Sequence, residues 1–540
     1  MNAPKNDAKE NSAFMNAADS VLSPERVAAH PDKPAILFNG SAVSYRETLA
    51  LVNRYGNAFR AQGVERENRI MMLLKDTPDM VGAYLGAIKI GAVTVAVNVR
   101  SSSQDLLFFL NDSRAKLLLI DAEFLPLYEA IADQALHTPR VYVAGPDNAS
   151  AHPGLDALLR GQSDECQAAS MSPDDMAVWM YTSGTTGTPK AAVHLHHNIL
   201  SCLDCTAGVF GATADDRLFA TSKLFFAYAN SNCLFASFTL GATTILYDGW
   251  PDSEAVAKII DRDKPTMFFS VPTMYRNLLR DGVATKERFA GIRICVTAGE
   301  RLPMVLFERW KDACGRELTD ALGTTETIFM ILANPPGAIR PGSSGKPTPN
   351  TRVELRDETA GLGSDPGNRA GGSVITGPGK SGVLWVNMAS LADRYWNQQA
   401  RSNAAFFGPW FRTGDMYSMD KDGYYFQEGR ADDMLRISGQ WVSPAEIEEE
   451  VLKLPQVADA AVVGVANADG VTRLSLFVIP NDPHAARAAL SAEIQDGLRD
   501  RLSIYKCPRD IHFVDEIPRT ATGKVQRYRL RTQVEQGRLN

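Results

Sequence analysis

The chain has 540 residues, which exceeds the size at which one hydrophobic core stops growing, so its length predicts two or more domains. Its composition, 45% hydrophobic and 22% charged, is that of an ordinary globular protein and argues against disordered and membrane classes. A formal net charge of −7 argues against nucleic-acid binding, although local loops could still present positive groups to an anionic ligand.

The N-terminal segment 1–14 is polar and lacks the apolar centre of a signal peptide. Apolar runs elsewhere have the length of strands and are too short to span a bilayer. The seven cysteines are scattered and odd in number, which suits a reducing compartment better than a disulfide framework. We therefore expect a cytoplasmic protein that does not enter the membrane.

Strand-length apolar runs alternate with helix-length patterns along most of the chain. The runs RIMMLL, AVTVAV, KLLLI, ATTILY and TMFFSV are separated by segments such as TPDMVGAYLGAIKIG. This alternation predicts α/β layers with largely parallel sheets. Residues 361–382 contain too much glycine for a packed element, so we expect a surface excursion before the strand VLWVNM.

Two local patterns suggest metal ligands. Cys202 and Cys205 form a C-x-x-C, and HLHHN places His194, His196 and His197 close together. Neither group has the further ligands at the spacing that a zinc site needs. We expect the cysteines to be small residues one helical turn apart and the histidines to lie at a strand edge.

The segment YTSGTTGTPK, residues 181–190, is dense in hydroxyls and glycine. Such loops can wrap oxyanions, because backbone N–H groups and hydroxyls converge without obstruction by side chains. A P-loop would need glycine directly before the lysine, but here Pro189 precedes Lys190 and Ala191 follows it. The P-loop is excluded, and the segment alone leaves an anion-binding loop and a flexible turn open.

Four further segments follow in order: DALGTTE (320–326), FRTGD (411–415), GRADDMLRISG (429–439) and PRTATGKVQR (518–527). With the first segment they resemble the adenylate-forming superfamily of acyl-CoA synthetases, luciferases and non-ribosomal peptide adenylation domains. The resemblance covers almost the whole chain. It implies activation of a carboxylate with ATP to an acyl-adenylate and pyrophosphate, followed by transfer of the acyl group to a thiol.

The resemblance also implies roles for residues at the phosphates. Thr325 and Glu326 resemble the contacts to the α-phosphate and to Mg²⁺, and a carboxylate facing a triphosphate would be repelled without a cation between them. Lys524 resembles the catalytic lysine that bridges the incoming carboxylate and the α-phosphate. The loop expected to grip the β- and γ-phosphates comprises Thr182, Ser183, Gly184, Thr185, Thr186, Gly187 and Lys190.

The nucleoside would be bound by residues from several motifs. By the resemblance, Asp415 would accept hydrogen bonds from both ribose hydroxyls, as an ionised carboxylate can, with Arg430 assisting. Thr324 is also expected to contact the nucleotide. The expected adenine slot comprises Thr297, Ala298, Gly299, Glu300, Asp320, Ala321, Leu322 and Gly323.

The resemblance further implies a large N-terminal domain of layered sheets and helices, 1–431, and a smaller mobile α+β domain, 432–540. The small domain would swing about a hinge at Asp432. It would then present Ser438, Gly439 and Gln440 to the pantetheine of coenzyme A. The first helix of this domain has a proline at its first position and fits a capping box at residues 443–446.

The segment KLFFAYANSN, 223–232, resembles the acid pocket of benzoate-type aryl-CoA ligases, although three aromatic side chains also suit ordinary core packing. Two positions depart from that pattern, Phe329 where a histidine is expected and Arg436 where a lysine is usual. No single acid is therefore assigned. Benzoate, anthranilate, salicylate, hydroxybenzoates and short or cyclic aliphatic acids stay open. The expected acid-binding residues are Phe226, Ala227, Tyr228, Ala298, Gly323, Phe329 and Met330.

The sequence thus predicts an AMP-forming aryl-CoA ligase that uses ATP, Mg²⁺ and coenzyme A, as a monomer or homodimer. One alternative is a stand-alone aryl-adenylating enzyme that loads a carrier protein, and another is a luciferase-like oxidation. From a different class, a non-catalytic nucleotide-binding regulator would keep the fold, but the joint presence of Glu326, Asp415, Arg430 and Lys524 argues against it.

Overall fold

A computed structural model describes residues 14–145, 151–183, 189–358, 372–431, 435–437, 440–466, 472–482, 486–519 and 525–536. Among these residues, no helix is both long and apolar enough to cross a membrane. The α-helices are Ala17–Val21, Pro24–Ala29, Tyr45–Ala61, Pro78–Lys89, Ser103–Ser113, Leu125–Glu129, Leu155–Leu159, Leu203–Thr206, Ala227–Ala229, Ser237–Leu240, Ser253–Asp263, Pro272–Arg280, Met304–Cys314, Gln399–Ala405, Pro444–Leu452, Arg487–Arg501 and Arg527–Glu535. Short 3₁₀ segments lie at Ala122–Phe124, Ala132–Gln134, His196–Cys202 and Ile504–Lys506, and a π-helix lies at Asn230–Ala236.

Two sheets with parallel centres build the first part of the chain. One has the strand order Lys346–Pro347, Met330–Ala333, Leu318–Gly323, Ile294–Thr297, Met267–Ser270, Arg217–Ala220, Thr243–Leu246, Pro34–Phe38 and Ser41–Ser44. The other has the order Arg394–Tyr395, Pro189–Leu195, Met176–Ser183, Val93–Ala96, Arg69–Leu73, Leu117–Asp121 and Arg140–Ala144. Their central strands are buried on both faces, as parallel sheets are when helices cover them. This confirms the predicted α/β layers.

A third sheet is antiparallel and was not predicted by the alternation of strands and helices. Its strands are Ser373–Val374, Arg352–Asp357, Ser381–Asn387, Trp410–Met419 and Phe406–Phe407, and Tyr425–Arg430 pairs with Trp410–Met419. Trp410–Met419 forms hairpins with Phe406–Phe407 and with Tyr425–Arg430, and hairpins need no crossover helix between their strands. The predicted surface excursion at 361–382 falls partly outside the described residues, and the strand predicted to follow it is Ser381–Asn387.

The C-terminal part of the chain has its own core and an α+β arrangement. Val457–Ala466 pairs antiparallel with Thr472–Pro480, which pairs in parallel with Asp510–Phe513. A separate strand pair, Leu435–Ile437 and Gln440–Val442, precedes this sheet. Apolar side chains from the helices and this sheet form a buried cluster. A smaller α+β C-terminal domain is thereby confirmed.

The predicted capping box at the start of the helix Pro444–Leu452 is wrong. Ser443 is the N-cap and Pro444 the first helical residue, but the Ser443 side chain makes no cap hydrogen bond. Its hydroxyl donates instead to the carbonyl of Glu428, and Glu446 pairs with Lys506 at 2.7 Å. Both side chains therefore stabilise tertiary contacts, which a local pattern cannot reveal.

The expectation of a strand edge for the histidines is also wrong in detail. His194 is fully buried in the strand Pro189–Leu195, which has a neighbouring strand on each side. His196 and His197 belong to the following 3₁₀ segment. The neighbour on the outer side comes from residues 394–395, far along the chain, which is why the local sequence suggests an edge.

The two cysteines of the C-x-x-C are buried packing residues. Burial raises the pKa of the Cys202 thiol to about 11 and that of Cys205 still further, so both thiols keep their protons at neutral pH. Within the described ranges, no group of three or more His, Cys, Asp or Glu side chains is placed to hold a metal ion by itself.

Candidate active site

Lys190, Glu326 and Tyr395 meet in one hydrogen-bonded cluster. Lys190 lies in the strand Pro189–Leu195, and Tyr395 lies in a short strand that pairs with it. The Lys190 Nζ atom is 3.0 Å from Glu326 Oε1 and 2.6 Å from the Tyr395 hydroxyl, which is itself 2.6 Å from the same Glu326 oxygen. The ammonium group also lies 3.9 Å from the centroid of the Tyr395 ring. The sequence predicted Lys190 and Glu326 as site residues but not Tyr395.

The charges of this cluster are fixed by its contacts. Burial raises the pKa of Glu326, but the charge of Lys190 and the hydroxyl of Tyr395 outweigh it and bring this pKa down to about 2. Burial and the neighbouring Glu326 carboxylate raise the pKa of Tyr395 above its ordinary value. At neutral pH, Glu326 is therefore ionised and Tyr395 is a neutral hydrogen-bond donor.

The cluster fits a cation that is also held by phosphates. An ionised carboxylate oxygen is the ligand that Mg²⁺ prefers, and Mg²⁺ is commonly held by one or two carboxylates together with substrate phosphates and waters. Glu326 supplies one such carboxylate, while the described residues contain no complete cage of acidic or nitrogen ligands. Lys190 beside it adds a positive charge for the same phosphates.

The turn that carries Glu326 is built to a defined shape. The Thr327 and Ile328 amides donate to the Thr324 carbonyl at 3.2 and 3.1 Å, and Ile328 has a φ of +55°. A β-branched residue seldom adopts this left-handed conformation, so the surroundings must hold it there. The bend turns the chain directly into the strand Met330–Ala333.

His194 stabilises the same turn by a hydrogen bond from its side chain. Its Nε2–H donates to the carbonyl of Thr325 at 2.8 Å, which fixes the tautomer because a carbonyl can only accept. Burial lowers the pKa of His194 to about 4, so the imidazole is neutral at pH 7. The sequence analysis did not predict this contact. His194 lies four residues after Lys190 on the same strand, and that spacing could have indicated that His194 lies near the site.

Asp415 and Arg430 face each other across a hairpin. They are directly opposite in the pairing of Trp410–Met419 with Tyr425–Arg430, and an Arg430 Nη1 atom lies 3.2 Å from Asp415 Oδ1. The Asp415 side chain is 7% exposed and the Arg430 side chain 35%. Gly414 has a φ of +75°, and a Cβ there would lie 3.1 Å from the Arg430 guanidinium. Glycine is therefore needed to keep the arginine close to the carboxylate.

The predicted adenine-slot residues lie at the carboxyl ends of neighbouring parallel strands. Ile294–Thr297 leads into Ala298–Glu300, and Leu318–Gly323 carries Asp320, Ala321, Leu322 and Gly323, followed by Thr324. The carboxyl ends of parallel strands are where open α/β sheets bind ligands. The structure thus brings these predicted residues together.

Of the two carboxyl groups in that slot, Asp320 is buried and Glu300 is half-buried. Burial raises the pKa of Asp320, and it raises the pKa of Glu300 against the opposing charge of Arg519. Glu300 accepts a hydrogen bond from the Thr273 hydroxyl at 2.9 Å. A Cβ at Gly323 would lie 3.0 Å from the Met330 sulfur, so that position has little space for a side chain.

The predicted acid-pocket residues gather around one hydrophobic cluster. Phe226, Ala227 and Tyr228 pack partly buried against it, and Ala298, Phe329 and Met330 are buried members of it. The Tyr228 hydroxyl donates to the Val296 carbonyl at 3.0 Å.

The helix after Tyr228 is wound as a π-helix over Asn230–Ala236, a form that occurs mostly at functional sites. The Tyr228 carbonyl lies just before this π-helical segment. The Asn232 amide and the Ser231 hydroxyl donate to this carbonyl at 2.9 and 3.1 Å. Side chains next to Tyr228 therefore stabilise the irregular winding.

Several predicted site residues lie at the edges of the described ranges or outside them. Thr182 and Ser183 end the strand Met176–Ser183, and Gln440 begins the strand Gln440–Val442. The residues that lie outside the described ranges are Gly184, Thr185, Thr186, Gly187, Asp432, Ser438, Gly439 and Lys524. Their roles stay predictions.

The C-terminal part contacts the large one beside the adenine slot. Arg519 pairs with Asp459 at 2.7 Å, and Asp459 lies 3.8 Å from Arg276. Farther along the same surface, Arg301 pairs with Glu449 at 2.7 Å. Arg519 is therefore held close enough to Glu300 for its charge to act on that carboxyl group.

Comparisons with known proteins agree with this geometry. The model of the AMP-binding enzyme family matches residues 24–396, and that of the AMP-binding enzyme C-terminal domain matches residues 446–524. A 3-hydroxybenzoate–CoA ligase of Aromatoleum sp. (strain CIB) is 45% identical over 525 residues, which cover 97% of this chain and 98% of that protein. A 3-hydroxybenzoate–CoA/4-hydroxybenzoate–CoA ligase of Thauera aromatica is 44% identical over 524 residues, with coverages of 96% and 98%.

A solved structure is similar over the same length. The crystal structure of the anthranilate CoA ligase AuaEII in complex with anthranoyl-AMP has a TM-score of 0.89 at 32% identity, and the match covers 98% of each chain. The predicted resemblance is confirmed by these matches. The chain belongs to the AMP-binding enzyme family, the adenylate-forming superfamily, and is an AMP-forming aryl-CoA ligase that uses ATP and coenzyme A.

Proposed function

We propose that this ligase activates a hydroxylated benzoate, with 3-hydroxybenzoate as the first candidate. The observation that carries the proposal is the turn from Glu326 to Phe329. At one end of the turn, the Glu326 carboxylate belongs to a charged cluster suited to phosphates. At the other end, the Phe329 ring lies in an apolar cluster against which Phe226 and Tyr228 pack. The two relatives that share 44–45% of the sequence act on 3-hydroxybenzoate, and one of them also on 4-hydroxybenzoate.

In the first step of the proposed mechanism, a carboxylate oxygen of the acid attacks the α-phosphorus of ATP and pyrophosphate leaves. Lys190 and the loop 182–187 bind the β- and γ-phosphates, and Thr325 contacts the α-phosphate. A Mg²⁺ ion held by Glu326 and the phosphates would neutralise negative charge there. Lys524 aligns the two reactants, and alignment of this kind can contribute on the order of 7–11 kcal/mol.

In the second step, the thiolate sulfur of coenzyme A attacks the carbonyl carbon of the aryl-adenylate and AMP leaves. Asp415 holds the ribose hydroxyls through both steps, with Arg430 fixing the carboxylate. Domain 432–540 swings at Asp432 between the steps and brings Ser438, Gly439 and Gln440 to the pantetheine. We keep the predicted cytoplasmic location and the monomer or homodimer as parts of this proposal.

A screen of acids tests the proposal directly. Formation of AMP and of the acyl-CoA is measured with 3-hydroxybenzoate, 4-hydroxybenzoate, benzoate, anthranilate, salicylate and cyclohexanecarboxylate. We expect the highest kcat/KM for a hydroxybenzoate, about tenfold or more above cyclohexanecarboxylate, because a site that binds a substrate hydroxyl discriminates strongly against acids that lack it. A higher kcat/KM for benzoate or anthranilate would contradict the proposed substrate while leaving the ligase reaction intact.

A further inference from the structure

We propose that Tyr395 is a positioning residue for the divalent cation of the adenylation step, holding Glu326 in place while Lys190 turns to the nucleotide. The inference rests on the proposed roles of Lys190 and Glu326. Tyr395 lies in the segment ADRYWN, outside all the motifs that identify the family in this sequence.

The hydrogen bonds of the cluster have one consistent direction. The ammonium group of Lys190 can only donate, so the Tyr395 oxygen accepts from it at 2.6 Å. The Tyr395 hydroxyl proton must then go to Glu326 Oε1, also at 2.6 Å. Glu326 Oε1 receives a second hydrogen bond from Lys190 at 3.0 Å. One carboxylate oxygen is therefore shared by a charged donor and a neutral donor.

The two donors differ in their access to an incoming nucleotide. The Lys190 side chain is 20% exposed, whereas Tyr395 is 3% exposed. A phosphate that enters from the open side can compete for the lysine, while the buried hydroxyl stays on the carboxylate. Because the hydroxyl carries no charge, it orients Glu326 without neutralising it. Once Lys190 contacts the nucleotide, the negative charge of Glu326 is available to a cation.

Tyr395 is fixed relative to both partners by the backbone. Its strand pairs with the lysine strand at Ala192, and its amide donates to the Ser402 hydroxyl at 3.0 Å. Three residues earlier, the Ala392 amide donates to the Glu326 carbonyl at 2.8 Å. The same segment thus holds the lysine strand on one side and the Glu326 turn on the other.

The segment is also tied to the end of the phosphate loop. The Gln398 side-chain amide donates to the Pro189 carbonyl at 3.0 Å, directly before Lys190. The Trp396 amide donates to the Ala191 carbonyl at 2.9 Å, directly after it. These contacts keep the Tyr395 hydroxyl at a set distance from the lysine, as a positioning role requires.

The substitution Tyr395→Phe removes the hydroxyl and keeps the ring against the lysine. Without the neutral donor, Glu326 loses the contact that holds it in place once Lys190 turns to the nucleotide. We expect the Kd of Mn²⁺ in the complex with α,β-methylene ATP, measured by electron paramagnetic resonance, to rise about tenfold, which is the effect of losing one hydrogen bond to a charged group. The KM of the aromatic acid should stay within about twofold, since one neutral contact remote from the acid is removed.

Tyr55→Phe is the matched control, because the Tyr55 hydroxyl donates to a half-buried carboxylate, Asp79, at 2.8 Å and lies outside the proposed site. Its Mn²⁺ affinity should equal that of the wild type. In a Lys190→Met background the Tyr395 hydroxyl can still donate to Glu326, so Tyr395→Phe should raise the Mn²⁺ Kd there as well. Circular dichroism checks that each variant is folded.

Two results would overturn the inference. One is an unchanged Mn²⁺ Kd in folded Tyr395→Phe, and the other is an effect of Tyr395→Phe that disappears in the Lys190→Met background. Either result leaves the proposed substrate untouched if the wild type forms hydroxybenzoyl-CoA. Conversely, a Mn²⁺ effect in an enzyme that prefers another acid supports the role of Tyr395 and contradicts only the proposed substrate.

Discussion

Arg301 and Glu449 form a 2.7 Å ion pair between the two regions that separate family models match. Glu449 lies on the helix Pro444–Leu452, and Arg301 directly follows the predicted adenine slot. Arg519, which is five positions before Lys524 in the sequence, pairs with Asp459 on the same side. We infer that the pair of Arg301 and Glu449 stabilises the domain arrangement for adenylation, in which Arg519 lies beside the adenine slot.

The substitution Glu449→Gln should therefore slow adenylation more than thiolation. We expect acid-dependent ATP/pyrophosphate exchange to fall about two- to fivefold, because a partly exposed ion pair contributes on the order of 0.5–1 kcal/mol. Transfer to coenzyme A from supplied aryl-adenylate should be unchanged or faster. Glu450→Gln is the control on the same helix, since Glu450 pairs with Lys453 and Arg501 inside the C-terminal region. Equal slowing by both variants would contradict the inference.

Lys524→Ala should separate the two half-reactions more completely. We expect adenylate formation to be abolished within detection, because the lysine aligns the carboxylate with the α-phosphate. Transfer of the acyl group from supplied aryl-adenylate to coenzyme A should be largely preserved. Pyrophosphate exchange and single-turnover thioester formation measure the two steps. An equal loss in both would show that the assignment of a swinging domain is wrong.

The fold could be predicted from the sequence where strands are buried on both faces. Met71, Val95 and Leu118 lie in continuous apolar runs, which distinguish parallel strands covered by helices from half-exposed ones. The antiparallel sheet around Trp410–Met419 lacks that signal. At Ser443 the local pattern was misleading, because the hydroxyl bonds a distant carbonyl in place of the helix end.

The candidate site could be predicted where its residues lie in compact motifs. Glu326, Asp415 and Arg430 were found in this way. Tyr395 was not, because it reaches Glu326 across 69 positions through a two-residue strand, and nothing in its own neighbourhood marks it. His194 was noticed but misjudged, since its partner is a backbone carbonyl and carries no sequence signal.

The buried His194 should remain neutral well below its ordinary titration range. Its pKa is lowered from 6.5 to about 4 by burial, so in the unfolded chain it takes up a proton at a higher pH than in the folded protein. Between pH 7 and pH 5 the folded state therefore loses stability, by about 2 kcal/mol from this residue. Histidine C2-hydrogen exchange followed by mass spectrometry should give an apparent pKa near 4. Titration of His194 near pH 6.5 would contradict its buried hydrogen bond to Thr325.

Phe329→His should change the preference among benzoates. Phe329 is 4% exposed and lies 6.4 Å, centroid to centroid, from Phe235. A histidine there adds a polar contact to the acid pocket, so we expect the ratio of kcat/KM for benzoate and 3-hydroxybenzoate to shift about tenfold. Phe329→Leu is the control, because it removes the ring without adding a polar group. An unchanged ratio of the two kcat/KM values in Phe329→His would show that Phe329 does not contact the acid.

Asp415→Asn should weaken nucleotide binding without changing the choice of acid. The substitution removes the charge that Arg430 contacts at 3.2 Å and replaces one of two acceptor oxygens with a donor. We expect the KM for ATP to rise about tenfold, the effect of losing a charged hydrogen bond to the ribose. Asp422→Asn is the matched control, because Asp422 pairs with Arg340 at 2.7 Å in the turn of the same hairpin. If both variants raised the KM for ATP equally, the effect would come from the stability of the hairpin and Asp415 would not bind the ribose.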